Sequence, residues 1–447
     1  MLKKESLEML EEESMGRLLV RLSIPAIAAM MIHSLYHIVD TIFIGKGVGA
    51  YGIAAVFTVL PLTIFVFALA SMIGAGGASI LSRSLGSGNS EKAAHTIGNV
   101  LFFSLAVGVA FMIVGYLFGD ALIRLFGGGE KILPYAREYF FVVILEFPLM
   151  CFSVGAENII RAMGKAKTAM VAMIVSSIVN VLLDWIFIFG LDMGMFGAAL
   201  ATVIAQLSMA VYFLCCFLKY RKIMSLGLSV FRPLTGIMRD VVLVGLPNFI
   251  RPASGSIVVV IINNTLTFYG GEIAVASYGI INRAVMFSVM PLFGIAQGMQ
   301  PALGFNYGAQ RYDRALQAIK LSLLGSTALS TFAFVLFLVF PVPIVSIFTS
   351  ETALVAQTAP SMRLVTAAFF MVGVNVVVSA FFQAMGHAGP SLFLTLSRQV
   401  IFLIPLLLFL PRFLDSAGVW LSFPIADLMA GILSLSLLLP MLRRLRA

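Results

Sequence analysis

The sequence predicts an all-α polytopic membrane protein: twelve transmembrane helices in two parallel six-helix repeats around a central cavity. Three observations predict it. The 447 residues are 60% hydrophobic and only 11% charged. Apolar runs long enough to cross a bilayer recur along the whole chain. The second half of the chain restates the first at a fixed offset.

Composition excludes the soluble classes. A soluble domain carries about 25% charged residues, so this chain could not cover its surface with polar groups. A transmembrane barrel would alternate apolar and polar residues at strand period, and these runs do not. Runs of about 20 residues or more, the length a bilayer requires, lie near 17–45, 52–81, 93–117, 133–158, 166–190, 196–218, 239–265, 275–303, 315–341, 359–383, 389–410 and 416–441.

The net charge of +9 has a positional explanation. If the N-terminus is cytoplasmic, 20 of the 29 Lys and Arg fall at cytoplasmic ends of these runs. Six fall outside (Lys46, Arg124, Lys131, Arg137, Arg363 and Arg412), and Arg251, Arg283 and Arg398 lie within spans. Cytoplasmic loops carry the excess of basic residues, so both termini are expected in the cytoplasm and the chain in the cell membrane. The basic balance therefore belongs to a lipid-facing pattern, and nucleic acid is not an expected partner. Cys151, Cys215 and Cys216 have no metal-ligand spacing and read as small core residues. Residues 1–15 contain no apolar stretch and are not expected to act as a cleaved signal peptide. They read as an amphipathic segment lying on the membrane surface, with Leu2, Leu7 and Leu10 on one side.

The repeat fixes the organisation. SIPAI at Pro25 recurs as GLPNF at Pro247, and LGSGNSEKA with Gly86 recurs as NYGAQRYDRA with Gly308. RLFGG with Phe126 recurs as SIFTS with Phe348, and RAMGKA with Gly164 as QAMGHA with Gly386. The offset is 222 each time. The expected division is an N-terminal lobe over 16–218, a cytoplasmic linker over 219–238 and a C-terminal lobe over 239–442. Six is even, so both lobes enter the membrane from the same side, as in parallel-repeat transporters with a site near the midplane.

Candidate ion-coupling residues lie in the N-terminal lobe. A carboxylate at membrane depth costs about 2.5–3.5 kcal/mol on insertion scales, so it is expected to face the bundle interior. Asp40 is 19 residues beyond Arg21, roughly 28 Å along a helix rising 1.5 Å per residue. Asp184 is 17 residues beyond Lys167, roughly 25 Å by the same rise. Tyr36 and Asn180 are each four residues before an acid and share its helical face. Thr202 on the sixth span reaches the same layer, whereas His33 and His37 read as ordinary hydrogen-bonded face residues. Burial disfavours the charged form of a carboxyl, and two close acids titrate as a pair. Such a pair could take up a proton from outside and release it inside, and its oxygens could instead hold sodium. Pro25 removes a backbone hydrogen bond and can kink the first span, as a hinge below Asp40 or as a static bend.

Met31, Met72, Met173, Phe43 and Phe152 are candidate substrate contacts, because thioethers adapt to varied apolar ligands and aromatic faces attract cations. Asp40 is a candidate for the substrate cation as well. Glu157 and Arg161 are expected to pair at i, i+4, and Glu146 lies deeper with no evident partner. Arg251, Arg283, Arg398 and Asp427 read as a structural ion-pair network, with an anion-holding role as the alternative.

The two six-span halves, the repeated A-M-G after the fourth and tenth spans, Pro25 with Asp40, and Asn180 with Asp184 resemble the MATE multidrug and toxic compound extrusion transporters, DinF-like branch. The resemblance covers residues 15 to 442. It implies antiport of organic cations and hydrophobic drugs against protons or sodium, by a monomer embedded in lipid, with no cofactor beyond the coupling ion. In some branches carboxylates on the seventh and tenth spans carry that ion. Here those regions offer Asn263, Asn264 and Asn375, which places the expected coupling in the N-terminal lobe. The alternative is a lipid-linked saccharide or lipid flippase of related fold. The chain carries no HExxH, GxSxG, DxD or Walker A pattern, so an enzyme is not expected.

Overall fold

The structure, a computed structural model, describes residues 8–221 and 227–446, apart from the side chains of His33, Tyr220 and Leu228. The first half forms α1 (Met15–Gly47), α2 (Ala50–Gly86), α3 (Ser90–Leu125), α4 (Leu133–Val143), α5 (Glu146–Ala162), α6 (Ala166–Asp184) and α7 (Gly194–Tyr220). The second half forms α8 (Thr235–Gly308), α9 (Tyr312–Val339), α10 (Thr352–Val365), α11 (Phe370–Ala384), α12 (Ala388–Leu396) and α13 (Pro411–Arg446). Wide π turns follow α6 at Trp185–Gly190 and α12 at Ser397–Leu403.

Twelve spans result. Nine helices among the described residues are long and apolar enough to cross a membrane, and the bent pairs α4–α5 and α10–α11 bring the number to eleven. The 74-residue α8 is too long for one crossing, at about 1.5 Å per residue. It breaks at Gly271 (φ 70°, ψ −172°), a conformation open essentially to glycine alone. That break supplies the twelfth.

The backbone carries the duplication independently of the side chains. The bends of α4–α5 and α10–α11 are both 51°. Left-handed residues recur at the same offset of 222: Gly49 and Gly271, Gly88 and Gln310, Gly164 and Gly386.

The chain forms two compact units, one of residues 1–12 and 28–249, the other of residues 13–27 and 250–447. They differ from the sequence halves at the first span of each. In the first unit, a Cβ on Gly76 of α2 would lie 1.9 Å from the Val241 carbonyl oxygen, and one on Gly245 would lie 1.9 Å from that of Met72. In the second unit, a Cβ on Gly298 would lie 2.2 Å from Ser23 Oγ, and one on Gly294 would lie 2.4 Å from Ile27 Cγ1. Ser23 and Gly245 are equivalent in the repeat, as are Gly76 and Gly298. Each unit therefore takes in the opening segment of the other half's first span, seated on the bare backbone of a glycine.

Two polar segments are anchored. Residues 1–7 lie outside the described residues, and Leu10 is fully buried and packs at Gly164 of the first unit. The linker is also anchored. Asn99 of α3 is fully buried, donates to the Arg232 carbonyl at 3.1 Å and accepts from the Leu234 amide at 2.8 Å.

A buried carboxylate cluster in the first unit

The site is built on broken and wide helical turns. Asp40 lies near the end of α1, and Asp184 is the last residue of α6 before the wide turn. A Cβ on Gly47 would lie 2.1 Å from Ile188 Cγ2 of that turn, so the end of α1 is pressed against it. Glu146 opens α5 at the 51° break. Gly108 of α3 holds the break closely: a Cβ there would lie 2.5 Å from the Phe147 carbonyl oxygen. Wide π turns inside helices often mark functional positions.

Asp40, Asn180 and Asp184 are all buried, at 8%, 1% and 0% exposure. The two acids approach within hydrogen-bonding reach of each other. Asp40 Oδ1, both Asp184 carboxyl oxygens and both amide atoms of Asn180 have no hydrogen-bond partner among the described residues. A pair of ionised carboxylates offers acceptors only. Their approach becomes a hydrogen bond when a proton lies between them, and the remaining orphan atoms suit a water or a small cation.

Three further groups belong to this cluster. Tyr36, Tyr139 of α4 and Glu146 lie within electrostatic range of Asp40. Glu146 is 4% exposed and Tyr139 7%. Sequence reasoning left Glu146 without a partner and passed over Tyr139. The depth rule finds Glu146: it is 15 residues from Arg161, about 22 Å along the helix and close to the level of Asp184.

The structure gathers the other candidates unequally. The Thr202 hydroxyl donates within its own helix, to Ala198 O at 3.1 Å. The Tyr36 ring lies tilted by 34° against His37 with centroids 4.1 Å apart, and the His33 side chain lies outside the described residues. Of the candidate substrate contacts, Met72 is buried and Met31 exposed. Met173 and Phe152 pack on the apolar core around Ile97, while Phe43 packs on a separate core around Ile44 and edge-on to Phe189 at 5.6 Å. Pro25 sits inside α1 without ending it.

The intramembrane charges of the second unit form no network. Among the described residues the one ion pair there is Arg398 Nε to Asp427 Oδ1, 2.6 Å. Arg251 instead lies over the Phe293 ring, 4.9 Å from its centroid, and Arg283 is exposed. The expected Glu157–Arg161 pair forms at 3.2 Å. Asn375 donates to Ser434 Oγ at 3.1 Å and serves packing.

The MatE family model matches residues 25–186 and 248–408, two stretches whose ends are offset by 223 and 222. The chain belongs to the MatE family. It is therefore a multi-pass membrane transporter and not an enzyme. The multidrug export protein MepA of Staphylococcus haemolyticus is 24% identical over 99% of this chain and 98% of its own. The solved MATE multidrug transporter DinF-BH is 38% identical, with a TM-score of 0.87 over 95% of this chain and 97% of that one. The outward-facing structure of a multidrug resistance MATE family transporter of the MOP superfamily is 26% identical, with a TM-score of 0.91 over 99% of both chains. The flippase alternative finds no support among these relatives.

Proposed function

We propose that this chain is a cation-coupled multidrug exporter that moves organic cations and hydrophobic drugs outward by alternating access, with protons entering through the Asp40–Asp184 cluster. One observation carries the reading: two buried carboxylates face each other on different helices with orphan oxygens. Two anions so close cannot both remain ionised without a counter-charge. A proton from the outside supplies it in one state. The positive charge of an arriving drug supplies it in the other, so occupancy by one opposes occupancy by the other. Asn180 and Tyr36 share the faces of the two acids and complete the polar layer, with Thr202 at its edge. The drug's apolar body would meet Met and Phe side chains, whose soft surfaces tolerate varied shapes.

Pro25 precedes by two residues the point where the chain passes from the second unit to the first, at Ile27. A hinge there would let the proton on Asp40 bias the helix. Replacing Pro25 with Ala restores a backbone donor, and export is expected to slow while drug binding persists. The exporter is read as a monomer in the cell membrane with both termini cytoplasmic.

Efflux of a cationic dye from proteoliposomes under separate proton and sodium gradients tests the coupling. Export driven by a proton gradient and insensitive to sodium is expected. Asp40→Asn should lower the rate at least tenfold and abolish its dependence on the gradient. Full activity of that variant with an intact pH dependence would remove the cluster from the mechanism.

A further inference from the structure

The second unit carries a polar site of the opposite sign. Arg251 in α8 is 12 residues beyond Arg239, about 18 Å along the helix and well inside the span. Its guanidinium lies over the Phe293 ring, which stabilises a cation but accepts no ordinary hydrogen bond. No carboxylate pairs with it among the described residues. Its electrostatic neighbour is a second cation, Arg398. Arg398 uses Nε on Asp427 and keeps its side chain 25% exposed. Ser254, three residues after Arg251, donates to Gln399 Oε1 at 2.7 Å. That bond orients the Gln399 amide and leaves its NH2 group as a donor.

The inventory is one-sided. Arg398 is matched by Asp427, whereas Arg251 has no carboxylate partner among the described residues, so one positive charge is uncompensated at membrane depth, where such a charge is costly. The spare groups of Arg251, Arg398 and Gln399 are all donors. Arg398 and Gln399 sit on the Ser397–Leu403 wide turn, a helical distortion common at functional positions. The repeat sharpens the contrast: Arg251, Arg398 and Asp427 correspond to Ala29, Ser176 and Ala205 in the first half. There the Ser176 hydroxyl donates to the Ala205 carbonyl, and no charge is present at these positions.

We infer that Arg251, Arg398 and Gln399 form an anion-binding site in the second unit that takes a phosphate or carboxylate group borne by an amphiphile. The forked guanidinium donors match the oxygens of either group. The anion supplies the charge that Asp427 alone does not. Two sources share this chemistry: the headgroup of an anionic phospholipid, and the acidic group of a water-soluble amphiphile. The site stands independently of the coupling cluster.

Thermal unfolding of the purified protein in a neutral detergent tests it. The probes are octyl phosphate against octyl glucoside, and phosphatidylglycerol against phosphatidylcholine. At least one anionic probe is expected to raise the midpoint by about 2 °C or more over its neutral counterpart. Arg251→Gln should abolish the difference, and Arg251→Lys should keep part of it. Gln399→Ala, which removes a donor and no charge, should weaken the response severalfold and provides a second variant if Arg251→Gln does not fold. Arg137→Gln, at an exposed Arg paired with Asp120 in the first unit, should respond as the wild type does. A shift with phosphatidylglycerol alone assigns the site to lipid, and a shift with octyl phosphate assigns it to a soluble anion. No selective shift in the wild type, or equal shifts in the wild type and both site variants, overturns the inference.

Discussion

At the residue scale, the chemistry turns on how few polar groups the interior of the first unit contains. Glu146 reaches Asp40 electrostatically from the start of α5. Glu146→Gln keeps the size and removes a titratable group beside the Asp pair, so the pH dependence of export should change if Glu146 shares the cluster's proton. The pH–rate profile in proteoliposomes reads this, and an unchanged profile would set Glu146 apart from the cluster. Asn180 differs because neither amide atom has a partner among the described residues. A side chain retained for stability would be bonded. Asn180→Ala is therefore expected to change stability by no more than about 1 kcal/mol while lowering export several-fold. A large loss of melting temperature with normal export would make Asn180 structural. Both acids and Asn180 were legible as residues, because a polar group inside a long apolar run has few bland uses. Tyr139 was not, since a tyrosine in a half-apolar helix looks like any other.

At the element scale, backbone conformation and close packing decide the architecture. Gly271 breaks α8 at positive φ. Gly271→Ala should cost about 1–3 kcal/mol, the usual strain of such a conformation. A matched melting temperature would show that the break relaxes. Asn99 ties the linker to α3 through Arg232 and Leu234. Asn99→Leu leaves the Leu234 amide without its side-chain acceptor, so about 1 kcal/mol is expected to be lost. Proteolysis of the linker, slow in the wild type, should become fast in this variant. Span boundaries and the turn glycines were readable from hydropathy and repeat text. The wide turns after Asp184 and around Arg398 were not, because one extra residue in a helical turn leaves the apolar pattern of a membrane span unchanged.

At the scale of the molecule, one ancestral pattern has become two units of unlike polarity. Asp40 and Asp184 correspond to Ile262 and Leu406 in the second half, and Ile262 is fully buried. Placing an acid at position 262 in the Asp40→Asn background should therefore not restore proton-driven export, even where the double variant folds, because the equivalent of its partner Asp184 is Leu406. Recovery of coupling by that variant would mean that the lobes are interchangeable.

By itself the sequence determined the membrane class, the twelve spans, the duplication and the presence of acids at one depth. Composition, run length and a constant offset are properties of the chain read along its length, and bilayer thickness converts them directly into structure. Only the tertiary structure decided which groups meet. It drew Glu146 and Tyr139 to the Asp pair and gave each unit the opening segment of the other half's first span. It also dissolved the expected ion-pair network into one salt bridge and an arginine over a ring. These outcomes depend on which helical faces pack together, and an interior lined by Leu, Val and Phe on every side leaves that choice to shape: to a glycine that admits a neighbouring backbone, and to a break that turns a side chain inward.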